Sequence, residues 1–285
     1  MPDISYSTTG FIDRALESAL DDVAAAGFSN VELSGMPGHL DTPPEGADLQ
    51  AFKARLLERG ITGCTVHAPM RENVLGAPDE AWRIEKVGVM STYLRFAGAI
   101  GARGLIIHPV PNPIFVDEPK RPELPQIMAD ATRRSLDELV PIASAAGAPM
   151  LLENLPYARQ YDCDYPLLKM QELRSLVDEY PEDALGLVVD TGHAWTSGIE
   201  PADEIKTAGS RLLGTHLQDV DYDDPQDNHW MPTHGGLDWD KIIAALRDVD
   251  YAGQWTYEVI HPRYDETPDA LAKATREAVD SWGPE

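Results

Sequence analysis

Short apolar, β-branched runs alternate with longer stretches of three- and four-residue apolar spacing, and the cycle repeats eight times in 285 residues. The strand-like runs are 4–7, 30–34, 64–68, 104–110, 149–155, 186–190, 213–220 and 255–260. Between them, 15–26, 49–59, 81–100, 129–146, 170–179 and 239–248 carry helical spacing. Gly27, Gly60, Gly101 and Gly147 stand where these helices should stop. Strict alternation implies parallel strands joined by right-handed crossovers. Eight such units favour closure into one (β/α)8 TIM barrel, for which about 250 residues suffice. No break in composition marks a second domain, so one domain over 1–285 is expected. The stretches 109–125 and 219–236 read as long loops after the fourth and seventh strands. No Gly-x-Gly-x-x-Gly or Walker-type loop follows any strand, which weakens a nucleotide-binding alternative.

Composition narrows the partners. The formal charge is −25, from 48 acidic against 23 basic residues. Such a surface stays soluble by self-repulsion and works against binding of polyanions. Adaptation to high salt is the favoured reading of this excess, with an ordinary acidic bacterial protein as the alternative. No apolar run approaches the ~20 residues of a membrane span. Cys64 and Cys163 show no zinc-type pairing and are too few for a disulfide framework. A cytoplasmic protein is expected, without a membrane partner. Loops rich in Pro and aromatics are candidates for contact between copies of the chain.

Chemistry in a barrel of this kind sits at the C-terminal ends of the strands. Those ends carry His67, His108, Glu153, Asp190 with His193, His216 and Glu258. Carboxylates in otherwise apolar runs cost several kcal/mol each to bury without a partner. Glu153, Asp190 and Glu258 would repel one another in one pocket, and no Lys or Arg lies on these strand ends. A divalent cation relieves that repulsion. Carboxylate oxygen with imidazole nitrogen suits Mn²⁺, Zn²⁺, Fe²⁺ or Co²⁺, with Mg²⁺ a further candidate. Glu153, Asp190, His216 and Glu258 are therefore the expected metal ligands. His67, His108, His193, Asp227 and His229 are candidates for further metal or substrate contacts. His39, His234 and His261 lie in Gly- or Pro-flanked loops and read as surface or pocket-lining residues.

At these motifs the chain resembles the xylose isomerase-like barrel superfamily, which includes sugar epimerases, inosose dehydratases and endonuclease IV. Its most specific segment is His216-x-x-Asp219, then Asp227-x-His229-x-x-Pro232, then Gly235 and Leu237-Asp238-Trp239. The resemblance implies that Glu153, Asp190, His216 and Glu258 match the ligands shared by the isomerases and epimerases. It also implies that His67, His108, His193, Asp227 and His229 match the additional ligands of the endonuclease branch's trinuclear zinc site. Against that branch, Ser5-Tyr6-Ser7 replaces its amino-terminal histidine motif. The net charge also opposes nucleic acid as a partner. The family usually places Gly directly after the seventh-strand proline, whereas Thr233 and His234 follow Pro232 here. A side chain there would intrude on substrate if the backbone approaches it.

The leading expectation is a metal-dependent sugar isomerase or epimerase of carbohydrate metabolism. Its substrate would be a small ketose, a polyol-derived ketone or a sugar phosphate, handled through an enediolate. Glu153 and Glu258 are the expected catalytic pair, one removing the α proton and the other returning it. Trp195 and Trp230 offer apolar faces to a sugar ring, and Arg159 is a candidate phosphate contact. The same centre would serve a dehydratase or lyase if a β-hydroxyl were expelled. A three-metal cluster would instead suit phosphodiester hydrolysis, and a degenerate barrel would serve only as a binding protein.

Overall fold

The computed structural model describes residues 3–69, 74–223, 225–260 and 266–282. His261 lies outside the described residues. The strands are β1 (Asp3–Ser7), β2 (Asn30–Ser34), β3 (Gly63–His67), β4 (Leu105–Ile107), β5 (Met150–Glu153), β6 (Leu185–Asp190), β7 (Leu212–Leu217) and β8 (Gln254–Tyr257). They are all parallel and close in sequence order, β1 pairing with β8. The long helices are α1 (Leu16–Ala25), α2 (Gly46–Glu58), α3 (Glu80–Ile100) and α4 (Leu124–Ala146). After them come α5 (Tyr157–Tyr161), α6 (Met170–Val177), α7 (Thr191–Thr196), α8 (Pro201–Ala208), α9 (Trp239–Asp248) and α10 (Pro268–Val279). The expected single (β/α)8 barrel is the observed fold.

Local chemistry sets the boundaries. α3 and α4 end on Gly101 and Gly147 at φ +75 and +69, a conformation that costs glycine nothing. The loop expected over 109–125 gives way to α4 at Leu124, because Pro125 stands in the first turn, where a missing N–H is harmless. Ladder pairing stops at Ile107 and Leu217, short of the strand ends read from the sequence. The apolar runs continue beyond as Val110 and Val220, buried but unpaired in the sheet.

Two different layers fill the barrel. Outward-facing residues such as Val31, Leu33, Val66, Leu105, Ile107, Leu152, Leu187 and Val189 pack under the helices in the main core. Inside, Ile106, Leu151 and Val188, with Leu213 against them, form a separate small apolar cluster from β4 to β7. The other half of the interior is polar. Ser5, Ser7, Asn30, Glu32, Thr65, Gln254 and Thr256 are all buried on β1, β2, β3 and β8. The pattern is written in the strands: β2 alternates Asn-Val-Glu-Leu-Ser, whereas β5 runs Met-Leu-Leu before Glu153. A strand covered outside by helices that still alternates polar and apolar must point its polar side chains inward.

Candidate metal centre

The last inward position of several strands converges on the barrel mouth, as side chains two apart on a strand share a face. Glu153 ends β5, Asp190 ends β6, His216 is penultimate on β7 and Glu258 follows β8. His216 Nδ1 lies 3.0 Å from Glu153 Oε1, 3.3 Å from Glu258 Oε2 and 3.9 Å from Asp190 Oδ2. One nitrogen therefore faces three carboxylates. All four residues are buried, Asp190 and His216 completely.

Each of the five further candidates also reaches the mouth. His108 Nε2 and His67 Nε2 stand 3.3 and 3.7 Å from Glu153 Oε2. Asp227 Oδ1 lies 3.0 Å from His229 Nε2 and 3.3 Å from His193 Nε2. Three groups of possible ligands result: His67, His108 and Glu153; Glu153, Asp190, His216 and Glu258; and His193, Asp227 and His229. Within each group the ligand atoms lie within 4.8 Å of one another, and Glu153 belongs to two of them. Glu153 Oε2 is buried and accepts no hydrogen bond, although two imidazole nitrogens face it. That orphaned oxygen, with mixed carboxylate and imidazole donors, fits a transition-metal ion.

Burial is the largest influence on His193, His216, His229, Glu153, Asp227 and Glu258, and the neighbours decide which way each finally moves. For His216 burial is outweighed by Glu32, Glu258 and Glu153, which hold the ring well above the ordinary histidine range. His193 is likewise held well above that range by Asp190 and Asp227, and His229 rises to about 9 through Asp227 and Glu258. Glu153 and Asp227 stay well below the usual carboxylate range despite burial, because of the imidazoles around them. Glu258 moves up, since for it burial prevails. No Lys or Arg is among the described residues lining the mouth.

A second ring of side chains, absent from the sequence reading, holds these possible ligands in place. Gln218 Nε2 donates to both oxygens of Asp190 and to Asp227 Oδ1, while its Oε1 accepts from His229 N–H. One amide therefore ties the central group to the third. Asn154 accepts from Asp190 N–H and donates to Asp190 C=O. Asp190 also caps α7, accepting from His193 N–H at 2.7 Å, so one residue supplies both a possible ligand and a helix start. Glu32 on β2 approaches His216 from below at 3.1 Å. Only the alternation within β2 could have revealed it, because it is not at a strand end.

The pocket above the centre is walled by Asn112, Leu155, Pro156, Tyr157, Tyr161 and Ile260. Its aromatic faces are Tyr157 and Tyr161, and neither Trp195 nor Trp230 is among the lining residues. Trp195 instead packs on Tyr222 in a tilted pair with ring centroids 4.8 Å apart, and Trp230 bridges its backbone to Asp219. Arg159 is exposed on α5 and does not line the pocket. Thr233 keeps φ +75, the conformation glycine would favour, but is exposed and likewise outside the lining, so the anticipated intrusion on substrate does not arise there. His39 is buried against Arg14 C=O, and His234 is exposed.

The family model described as xylose isomerase-like TIM barrel matches residues 20–282. The protein y4fM of Sinorhizobium fredii is 24% identical over 275 residues, covering 88% of this chain and 83% of that one. A D-psicose 3-epimerase of Enterocloster bolteae is 32% identical over 120 residues, which are 42% of this chain and 36% of that protein. A probable endonuclease 4 of Mycobacterium leprae is 25% identical over 81% of this chain and 86% of its own. Among solved structures, a D-tagatose 3-epimerase-like protein superposes with a TM-score of 0.80 at 19% identity, covering 98% of this chain and 96% of that one. A D-psicose 3-epimerase determined in the presence of D-fructose gives 0.79 at 17%, covering 97% and 98%. At such identities the structural likeness is one of fold. The family match spans nearly the whole barrel, and on it this chain belongs to the xylose isomerase-like TIM barrel family.

Proposed function

We propose that the chain is a divalent-metal-dependent isomerase or epimerase of a small sugar or polyol-derived ketone. The observation that carries the reading is the division within the central group. Glu153 and Glu258 line the open pocket, whereas Asp190 and His216 do not. Two carboxylates from strands separated by β6 and β7 are thereby presented to whatever enters the mouth. A divalent ion held by Glu153, Asp190, His216 and Glu258 would supply Lewis-acid polarisation of adjacent carbonyl and hydroxyl oxygens. Glu153 and Glu258 would then address opposite faces of the hydroxyl-bearing carbon next to the carbonyl. One takes its proton, giving the enediolate, and the other returns a proton from the far side. Tyr157, Tyr161 and His193 line this pocket, and they would contact the sugar. Relatives named as D-psicose 3-epimerase and inosose isomerase support this class.

Phosphodiester hydrolysis is the second reading, favoured by the three ligand groups and by relatives named probable endonuclease 4. The charge of −25 and the absence of Lys or Arg from the described lining weigh against a polyanionic substrate. One panel separates the two. Protein loaded with Mn²⁺, Co²⁺ or Zn²⁺ is offered free ketoses, inososes and their phosphates, beside an abasic-site DNA duplex. Interconversion of a ketose or inosose, abolished by chelation, is the expected result. Cleavage of the duplex without any sugar interconversion would sink the leading reading.

A further inference from the structure

Three histidines at the mouth are held through Nδ1 by backbone carbonyls. His67, His193 and His229 place Nδ1 against the backbone carbonyls of Ala68, Asn154 and Glu258, at 2.9, 2.8 and 3.1 Å. A carbonyl only accepts, so Nδ1 of each ring carries the proton and Nε2 is left for the ligand group. His216 is the reverse. Its Nδ1 faces the three carboxylates of the central group, and its Nε2 lies 3.1 Å from Glu32 Oε2. The partner here is a carboxylate rather than a carbonyl.

That carboxylate is an expensive choice. Glu32 is fully buried, and its Oε1 has no hydrogen-bond partner. Thr65 Oγ1 donates to Oε2 at 3.0 Å and fixes it from the neighbouring strand. β2 and β7 are not neighbours in the sheet, so the Glu32–His216 contact crosses the barrel interior. A glutamine or leucine would fill the space without a buried charge, whose burial costs several kcal/mol. A packing role does not account for that expense. His67 lies over His216 with ring centroids 5.7 Å apart and planes 15° apart, which limits rotation of the imidazole.

We propose that Glu32 is a positioning residue for metal binding, holding His216 as the Nε2–H tautomer with Nδ1 presented to Glu153, Asp190 and Glu258. This rests on the metal reading above and assigns Glu32 no contact with substrate. Outer partners of this kind typically change metal affinity 10–100-fold when removed.

The test compares the full-length wild-type chain with Glu32→Gln and Glu32→Leu, using Co²⁺ as probe. Competition titration reads affinity, and the visible absorption of the bound ion reads its ligand geometry. Wild type is expected to bind Co²⁺. Glu32→Gln, which keeps an acceptor but loses the charge, should bind about 10-fold more weakly, and Glu32→Leu about 100-fold more weakly with an altered spectrum. Failure of wild type to bind Co²⁺ or Zn²⁺ overturns the metal reading, and the role of Glu32 with it. Wild-type binding matched in affinity and spectrum by both variants overturns only the role of Glu32. Should a variant not fold, ¹⁵N-histidine spectra of the Zn²⁺-loaded wild type decide alone. A His216 Nε2–H in a hydrogen bond supports the proposal, and a proton on Nδ1 overturns it.

Discussion

Replacing Glu153 by Gln should strip the centre of metal and stop turnover while leaving the barrel folded. Four histidines face this carboxylate, His67, His108, His193 and His216, at 3.0–3.7 Å. It is also the residue common to two of the three ligand groups. Glutamine keeps the volume but removes a charge and one of two acceptor oxygens. The imidazoles around it would then be left without their shared anion. Metal affinity should fall by roughly 100-fold or more, beyond the usual effect of an outer partner. Activity should fall on the order of 10³-fold if Glu153 also moves the proton. Elemental analysis after dialysis, read beside circular dichroism, checks both. A folded Glu153→Gln protein with full metal content and full activity would remove this residue from the centre.

Asp219→Ala is expected to cost the most stability. Asp219 is fully buried just beyond β7. Its Oδ1 accepts from Val220 N–H and Leu237 N–H at 2.9 and 3.1 Å, and its Oδ2 from Thr233 N–H and Trp239 Nε1–H at 3.0 and 2.8 Å. Four donors depend on one side chain. Gly235 packs so closely that a Cβ there would lie 2.2 Å from Asp219 Oδ1. The side chain therefore pins both ends of the loop that carries Asp227 and His229. Leaving buried donors unpaired costs about 1–3 kcal/mol each, less where solvent can reach them. The sum is roughly 4 kcal/mol, a drop in Tm of about 6–10 °C for a chain of this size. Loss of the His193, Asp227 and His229 group should accompany it, since the side-chain bonds removed are those that pin the loop carrying Asp227 and His229. An unchanged melting temperature and metal content would show that the loop closes without Asp219.

The barrel was legible because two periodicities are imposed on the chain throughout. Parallel strands covered by helices need apolar residues at least on their outer face, and the helices need a stripe. What escaped were short elements whose residues serve two purposes. α7 begins on Asp190 as its cap, so the segment 191–196 reads as the tail of a ligand motif rather than as a helix. All nine strand-end and loop residues expected at the mouth converge there, because carboxylates and imidazoles on apolar strands have few other reasons to exist. Gln218 and Asn154 were not distinguishable, since a neutral amide near a strand end carries little cost and so little signal. Glu32 was a different omission. The alternation of β2 holds the information, but a charge in mid-strand lies away from the strand ends where barrel chemistry is expected. Trp195 and Trp230 erred the other way, because aromatics in mouth loops find one another or the loop backbone as readily as a ligand.

Solvent isotope exchange tests the proposed chemistry most directly. The metal-loaded chain is incubated in D₂O with the ketose or inosose it converts, and recovered substrate and product are examined by NMR. Proton transfer by Glu153 and Glu258 predicts deuterium at one carbon, in both substrate and product, with exchange lost on chelation. Product formed without any solvent deuterium at that carbon would contradict the assignment of the two glutamates as the proton-transferring pair.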